Sequence, residues 1–389
     1  MTIDTRVPPG RTSPLLDVVD DIVATVIAPS AGRVDAEHLF PAEGVAALAE
    51  AGLGILQMTP DLGGVGTPTW IYAEALMRIS AACGSTSTVY MTQMHCGHPI
   101  RLRGTAEQQQ RWIPPLCNGT AIGGIALTEP NAGSDVATMR TTARPDRDGF
   151  RVRGSKTFIS NGDRADVIVL FATVDPRQGK DGISAFLLDT ASLEGFSTGI
   201  PMRKLGQRGA STVELHFDDC LVPRSAVLGD IGSGYPLLLD SVTASRISAA
   251  AQGVGFAEGA YQALVAHAHS QGLLAARARD AQDLQFALAR IRSEIYAARS
   301  MLLDVCDLVD AYGDEASAQV SMAKLHCTGI GVRLTAQCVE LLGEDGDLVE
   351  VGVERRLRDA KVAEIYDGTS QVQSMLVARD IRLHASSKT

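Results

Sequence analysis

With 389 residues, 45% of them apolar and 21% charged, the chain is too long for one hydrophobic core and too apolar to be disordered, so two or three packed domains are expected. A formal net charge of −10 excludes a protein built around a large basic footprint for nucleic acid. Seven scattered cysteines without a CxxC pair, no basic leader in MTIDTRVPPGRTSP and no run of roughly 18 to 20 apolar residues point to a cytoplasmic protein with reduced thiols and no membrane partner.

Ser13-Pro14 followed by Leu15, Val19, Ile22 and Val26 predicts an amphipathic helix that stops near Pro29. Helical patterns follow at 43–52, 70–82 and 106–116, with a Gly-rich loop, DLGGVG, at 61–66. The texture then changes. A DRDG turn at 146–149 precedes a strand in which Phe150, Val152 and Phe158 share one face, Val167 to Val174 reads as a strand covered on both sides, and Val213, Leu215 and Phe217 alternate. After Gly234 the three- and four-residue spacing returns, in Ile247, Ala250, Val254, Ala257, Tyr261, Leu264 and Ala268 and again from Ile291 to Tyr312. The fold class is therefore α+β: a helical domain over 1–120, a barrel-like β domain over 121–232 and a helical bundle over 233–389.

Three segments could carry chemistry. ALTEPNAGSD, from Ala126, puts Thr128, Gly133 and Ser134 where backbone amides can approach a polar-edged ligand. FISNG offers the Phe158 ring and the Ser160 hydroxyl at a strand end. EIYDGTSQVQ places Asp367 just before a helix break made by Gly368, Thr369 and Ser370, where partial desolvation raises a carboxyl pKa toward that of a general base. On residue types alone each also has a plain structural meaning: a turn, a strand end and a solvated helix end. His95 and His98, like His267 and His269, lack an evident third ligand, so no metal site is expected.

Together with KLGQRGASTVEL at 204–215 and RDAK at 358–361, these segments resemble, in order, the signatures of the acyl-CoA dehydrogenase family, over about residues 15–382. The resemblance implies an N-terminal helical domain, a middle β domain and a C-terminal four-helix bundle, with FAD between the last two and a homotetramer or homodimer as the assembly. It implies α,β-dehydrogenation of an acyl thioester, of coenzyme A or an acyl carrier protein, with an electron-transferring flavoprotein as acceptor. A short or branched acyl-CoA is the expected substrate. By this resemblance Ala126, Thr128, Gly133, Ser134, Phe158, Ser160, Thr369 and Gln371 match cofactor contacts, Ser134, Arg246 and Gly368 match substrate contacts, and Asp367 matches the catalytic base. A flavin monooxygenase or oxidase on the same fold, or a catalytically impaired partner subunit, is the alternative.

The sequence also departs from that pattern. Most members carry Glu where Asp367 stands; Ser245, before Arg246, offers no substitute carboxylate. QGLLA at 271–275 replaces a motif whose Arg reaches the partner subunit's FAD phosphates, leaving Arg277 or Arg279 as possible replacements. ELLGEDG at 340–346 brings Glu340, Glu344 and Asp345 to a region where relatives approach a phosphate, so repulsion is expected if they face it.

Overall fold

The computed structural model describes residues 11–274 and 282–386; Arg277 and Arg279 lie outside them. The chain opens with α1 (Pro14–Ile22), a wide π-type turn (Val23–Ile27) and α2 (Ala28–Ala36). The helical path thus runs on past Pro29 instead of stopping there. Pro29 sits in the first turn of α2, directly after the wide turn, where its missing N–H and its ring disturb the hydrogen-bond ladder least.

Next come α3 (Ala42–Glu50), α4 (Thr69–Ala82), α5 (Gly84–Arg103) and α6 (Ala106–Cys117). The sequence pattern does not predict α5, because GSTSTVYMTQMHCGHP has no apolar stripe. The helix is buried on nearly all sides, and its hydroxyls return to its own carbonyls, as in Ser87 Oγ to Gly84 O (2.9 Å) and Thr92 Oγ1 to Thr88 O (2.7 Å).

The middle of the chain forms one sheet from β1 (Gly123–Ala126), β2 (Thr142–Pro145), β3 (Gly149–Ser160), β4 (Val167–Thr173), β5 (Ile183–Asp189), β6 (Phe196–Thr198), β7 (Thr212–Pro223) and β8 (Val227–Leu228). The strand order is β6-β7-β3-β2-β4-β5-β8, with β1 parallel to β4. Every residue of β4 is buried, as its continuous apolar run implies. In β3, two irregularities in the pairing with β7 shift the register, between Val152 and Gly154 and between Lys156 and Ile159. Phe158 therefore does not share the face of Phe150 and Val152: it has φ 59° and is 66% exposed, while Ile159 turns inward.

The last part is helical: α7 (Gly234–Ser270), α8 (Gln282–Tyr312), α9 (Ser317–Leu342), α10 (Val353–Ala360) and α11 (Ser370–Ser386). The spacing residues of α7 are all buried; in α8 the stripe holds from Ile291 to Val305, but Tyr312, at the helix end, is exposed. α7 packs on α4 and α5 as well as α9, so the two helical regions share one large core, separate from the core inside the sheet. Buried charge pairs pin this junction: Glu74 accepts from Arg299 (2.8 Å), and Asp35 accepts from Arg358 (2.6 Å). Among the described residues no helix is long and apolar enough to cross a membrane.

Candidate active site

The backbone between α10 and α11 decides where Asp367 points. Asp367 and Gly368 are consecutive left-handed residues, with φ of 54° and 91°. Gly adopts this conformation freely, and Asp tolerates it better than most residues. Gln373, fully buried in the first turns of α11, donates from Nε2 to the carbonyls of Gly368 (3.0 Å) and Asp367 (3.3 Å). A Cβ at position 368 would stand 2.5 Å from that nitrogen, so the glycine and the clamp require each other. Gln373→Leu is expected to slow substrate-driven flavin reduction on the order of a hundredfold by misplacing Asp367 about 1 Å, with FAD content retained; stopped-flow absorbance checks the first and the visible spectrum the second.

The inward turn leaves Asp367 Oδ2 out of reach of water and without a hydrogen-bond partner. Burial pushes the carboxyl above its ordinary range, and His95, the Ser245 hydroxyl, Lys324 and Arg246 pull against that rise. Two of those neighbours are themselves incompletely satisfied: Lys324 is fully buried with no partner for Nζ, and Arg246 has none for Nε. Burial lowers Lys324 to about 8, while Asp367 and Glu364 act to raise it. Burial also pushes His95 down, and the Asp367 carboxylate opposes that fall. The Asp367 N–H makes no hydrogen bond within the described residues. One carboxylate, its own free amide and two buried cations thus converge on one spot, an arrangement able to take a proton beside a carbonyl whose oxygen gains charge.

The second group of sequence-predicted residues lies at the edge of the sheet. Thr157 N donates to Thr128 O (2.9 Å), tying FISNG to ALTEP. Below them Lys156, fully buried, donates to Leu127 O (2.9 Å) and Glu129 Oε1 (2.8 Å), and Glu129 also accepts from the amides of Arg140 (2.6 Å) and Thr141 (3.0 Å). Burial would raise the Glu129 carboxyl, but Lys156 and these amides outweigh it and hold it below its ordinary range. Gly133 and Ser134 are exposed, Ser160 is half-buried, and the Phe158 ring projects from the bulge. Ala126 is fully buried in the sheet's own core, so it can meet a ligand only through its main chain.

No hydrogen bond among the described residues joins this edge directly to Asp367. Gln207, in KLGQRG, ties α5 to the end of α10 instead: it donates to Asp359 O (3.0 Å) and accepts from Thr88 Oγ1 (2.6 Å), and Gln252, held by Thr88 and Ser87, accepts from the hydroxyl of Tyr366, the residue before Asp367. Thr369 Oγ1 accepts from Val372 N (3.3 Å) and so helps start α11, on which Gln371 is exposed. The acidic segment is less hostile than its composition implies: Asp345 pairs with His267 (2.9 Å), and Glu340 and Glu344 are exposed. Sequence reasoning missed Lys324, Gln373, Gln207 and the role of His95; a Lys at helical spacing from the buried Val320 and Cys327 was an available signal. No cluster of three metal-ligating side chains occurs among the described residues.

An exposed aromatic ring beside a glycine-serine turn, and buried unpaired donors near a carboxylate, fit a flat aromatic cofactor with hydrogen-bonding edges. Comparison with known proteins agrees. Family models match throughout: the acyl-CoA dehydrogenase N-terminal domain over residues 12–120, the middle domain over 124–220 and the C-terminal domain over 232–382. A short-chain specific acyl-CoA dehydrogenase of Clostridium acetobutylicum is 34% identical over 365 residues, 94% of this chain and 96% of that one. Butyryl-CoA dehydrogenase of Megasphaera elsdenii superposes with a TM-score of 0.89 at 29% identity, over 95% of this chain and 99% of the other. A chain from structural work on the electron transferring flavoprotein of Acidaminococcus fermentans gives 0.90 at 32%, over 96% and 99%. The chain belongs to the acyl-CoA dehydrogenase family and is an FAD-dependent oxidoreductase acting on CH–CH bonds.

Proposed function

We propose that this protein dehydrogenates a short acyl-CoA between the α- and β-carbons, with Asp367 as the base that removes the α-proton. The observation that carries this reading is the Asp367 carboxylate itself, turned inward by two left-handed residues, with Oδ2 dry and unpartnered among buried cations.

A thioester α-proton is too weakly acidic to leave at neutral pH unless charge on the carbonyl oxygen is stabilised as it forms. The unbonded N–H of Asp367 is positioned to donate to that oxygen while the side chain of the same residue takes the proton. Lys324 and Arg246 favour the charged form of the carboxylate against its burial. Phe158 would cover the flavin ring, Gly133, Ser134, Thr128 and Ser160 would meet its polar edges, and Thr369 and Gln371 would approach it from the start of α11. When bound, FAD supplies the electron sink that takes the β-hydrogen as hydride. An electron-transferring flavoprotein is the acceptor we infer, a homotetramer or homodimer the assembly, and a cytoplasmic setting fits seven buried, unpaired thiols.

The test is anaerobic bleaching of the flavin absorbance by butyryl-CoA. The rate should fall as pH drops, starting above the range where an ordinary aspartate protonates, because burial raises this carboxyl and only the ionised form accepts a proton. No bleaching at any pH, or a rate flat down through the acid range, would remove Asp367 from the mechanism.

A further inference from the structure

Asp367 has a left-handed backbone, which a residue other than glycine keeps only where its surroundings hold it. Gln373 holds it from the C-terminal side. A second hold acts from the N-terminal side. The hydroxyl of Tyr366, the residue before Asp367, donates to Gln252 Oε1 on α7.

The groups behind Gln252 force the direction of that bond. The carbonyl of Asp359 can only accept, so Gln207 turns its Nε2 toward it (3.0 Å) and leaves its Oε1 for the Thr88 hydroxyl (2.6 Å). The carbonyl of Gly84 likewise takes the proton of the Ser87 hydroxyl (2.9 Å). With their single protons spent, both hydroxyls can only accept, and both face Gln252 Nε2, Ser87 at 2.7 Å and Thr88 at 3.1 Å. Gln252 therefore presents its oxygen to Tyr366, and the phenol has one place to put its proton. Burial pushes the phenol well above its ordinary range, so it keeps that proton. Ser87, Thr88, Gln207 and Gln252 are all buried, so removing one partner leaves the next unsatisfied.

Resting on the reading of Asp367 as the base, we propose that Gln252 and the Tyr366 hydroxyl are its positioning residues: with Gln373 they fix the backbone on both sides of Asp367 and aim its carboxylate and its amide at one acyl group. Neither gives or takes a proton in the reaction; each acts through Asp367. Segments far apart in sequence, α5, the loop that carries Gln207 and α7, thereby set where the α-proton is taken.

The experiment follows flavin reduction in the FAD-loaded enzyme by anaerobic stopped flow, using butyryl-CoA and its α-deuterated form. The variants are Tyr366→Phe, Gln252→Leu, the two combined, and Asp367→Asn. In each of the first two the saturating rate constant is expected to fall between about tenfold and a hundredfold, as for a base displaced by up to about 1 Å, with the half-saturating concentration unchanged within about twofold. The double variant falls no further than Gln252→Leu, because the two groups act through one bond. The isotope effect of α-deuteration rises in all three, since proton removal has become the slower step. A rate constant, unlike an amplitude, is insensitive to loss of folded enzyme, so a merely structural role moves neither the rate constant nor the isotope effect. Unchanged rate constants, losses that simply add, or slowing without a larger isotope effect, with Asp367→Asn still slow, overturn this inference and leave the base reading standing. Undiminished reduction in Asp367→Asn overturns both.

Discussion

Asp367→Asn is expected to lower substrate-driven flavin reduction by about a thousandfold, the scale of a lost general base, while the protein still purifies yellow with a full complement of FAD. The amide is nearly the same size as the carboxylate, so the left-handed backbone and the Gln373 clamp have no steric reason to move. What changes is charge: Lys324 and Arg246 lose the carboxylate they face, and the α-proton loses its acceptor. Stopped-flow bleaching of the flavin band measures the effect, and undiminished reduction would show that another group takes the proton. Asp367→Glu is the companion variant. An added methylene extends the carboxylate by about 1.5 Å, into a space already bounded by His95, Ser245 and Arg246. If the pocket is fitted to Asp, the longer residue loses rate too; a gain would identify the natural residue as a base set too far back.

Lys156→Met should destabilise the protein by about 3–5 kcal/mol, the usual consequence of leaving a buried charge without its partner. The lysine is fully buried and bonds both Leu127 O and Glu129, and Glu129 in turn holds the amides of Arg140 and Thr141. With the ammonium gone, the Glu129 carboxylate keeps only those two amides, and the loop that carries Thr128, Gly133 and Ser134 loses its anchor. A chemical denaturation midpoint reads the stability, and FAD retained after gel filtration reads the loop. Adding Glu129→Gln to Lys156→Met should cost less than the two single losses summed, because the orphaned charge is then removed. Strict additivity would show that the pair does not act as a unit.

Much of the architecture could be read from residue order. The burial of Leu215 and Phe217, the continuous run of β4 and the helical stripe of α7 all follow from periodicities of two and 3.6, since the side of an element facing the core is a local property of the chain. Where tertiary contacts outweighed local preference, the reading failed. α5 has no stripe because it is buried all round, Pro29 is absorbed by a wide turn, and Phe158 is turned outward by a bulge that depends on where β7 pairs.

The site divides in the same way. ALTEPNAGSD, FISNG and EIYDGTSQVQ are contiguous, so sequence alone marked the candidate cofactor edge and the candidate base and determined the family. The surroundings of Asp367 are not contiguous: His95, Ser245 and Lys324 come from three helices far apart along the chain, and Gln373, though near in sequence, matters only because the backbone doubles back onto it. Only the tertiary structure could decide that the Oδ2 of Asp367 is dry and that cations flank it. Burial and electrostatic neighbours belong to the packing of distant segments, and no local pattern encodes them.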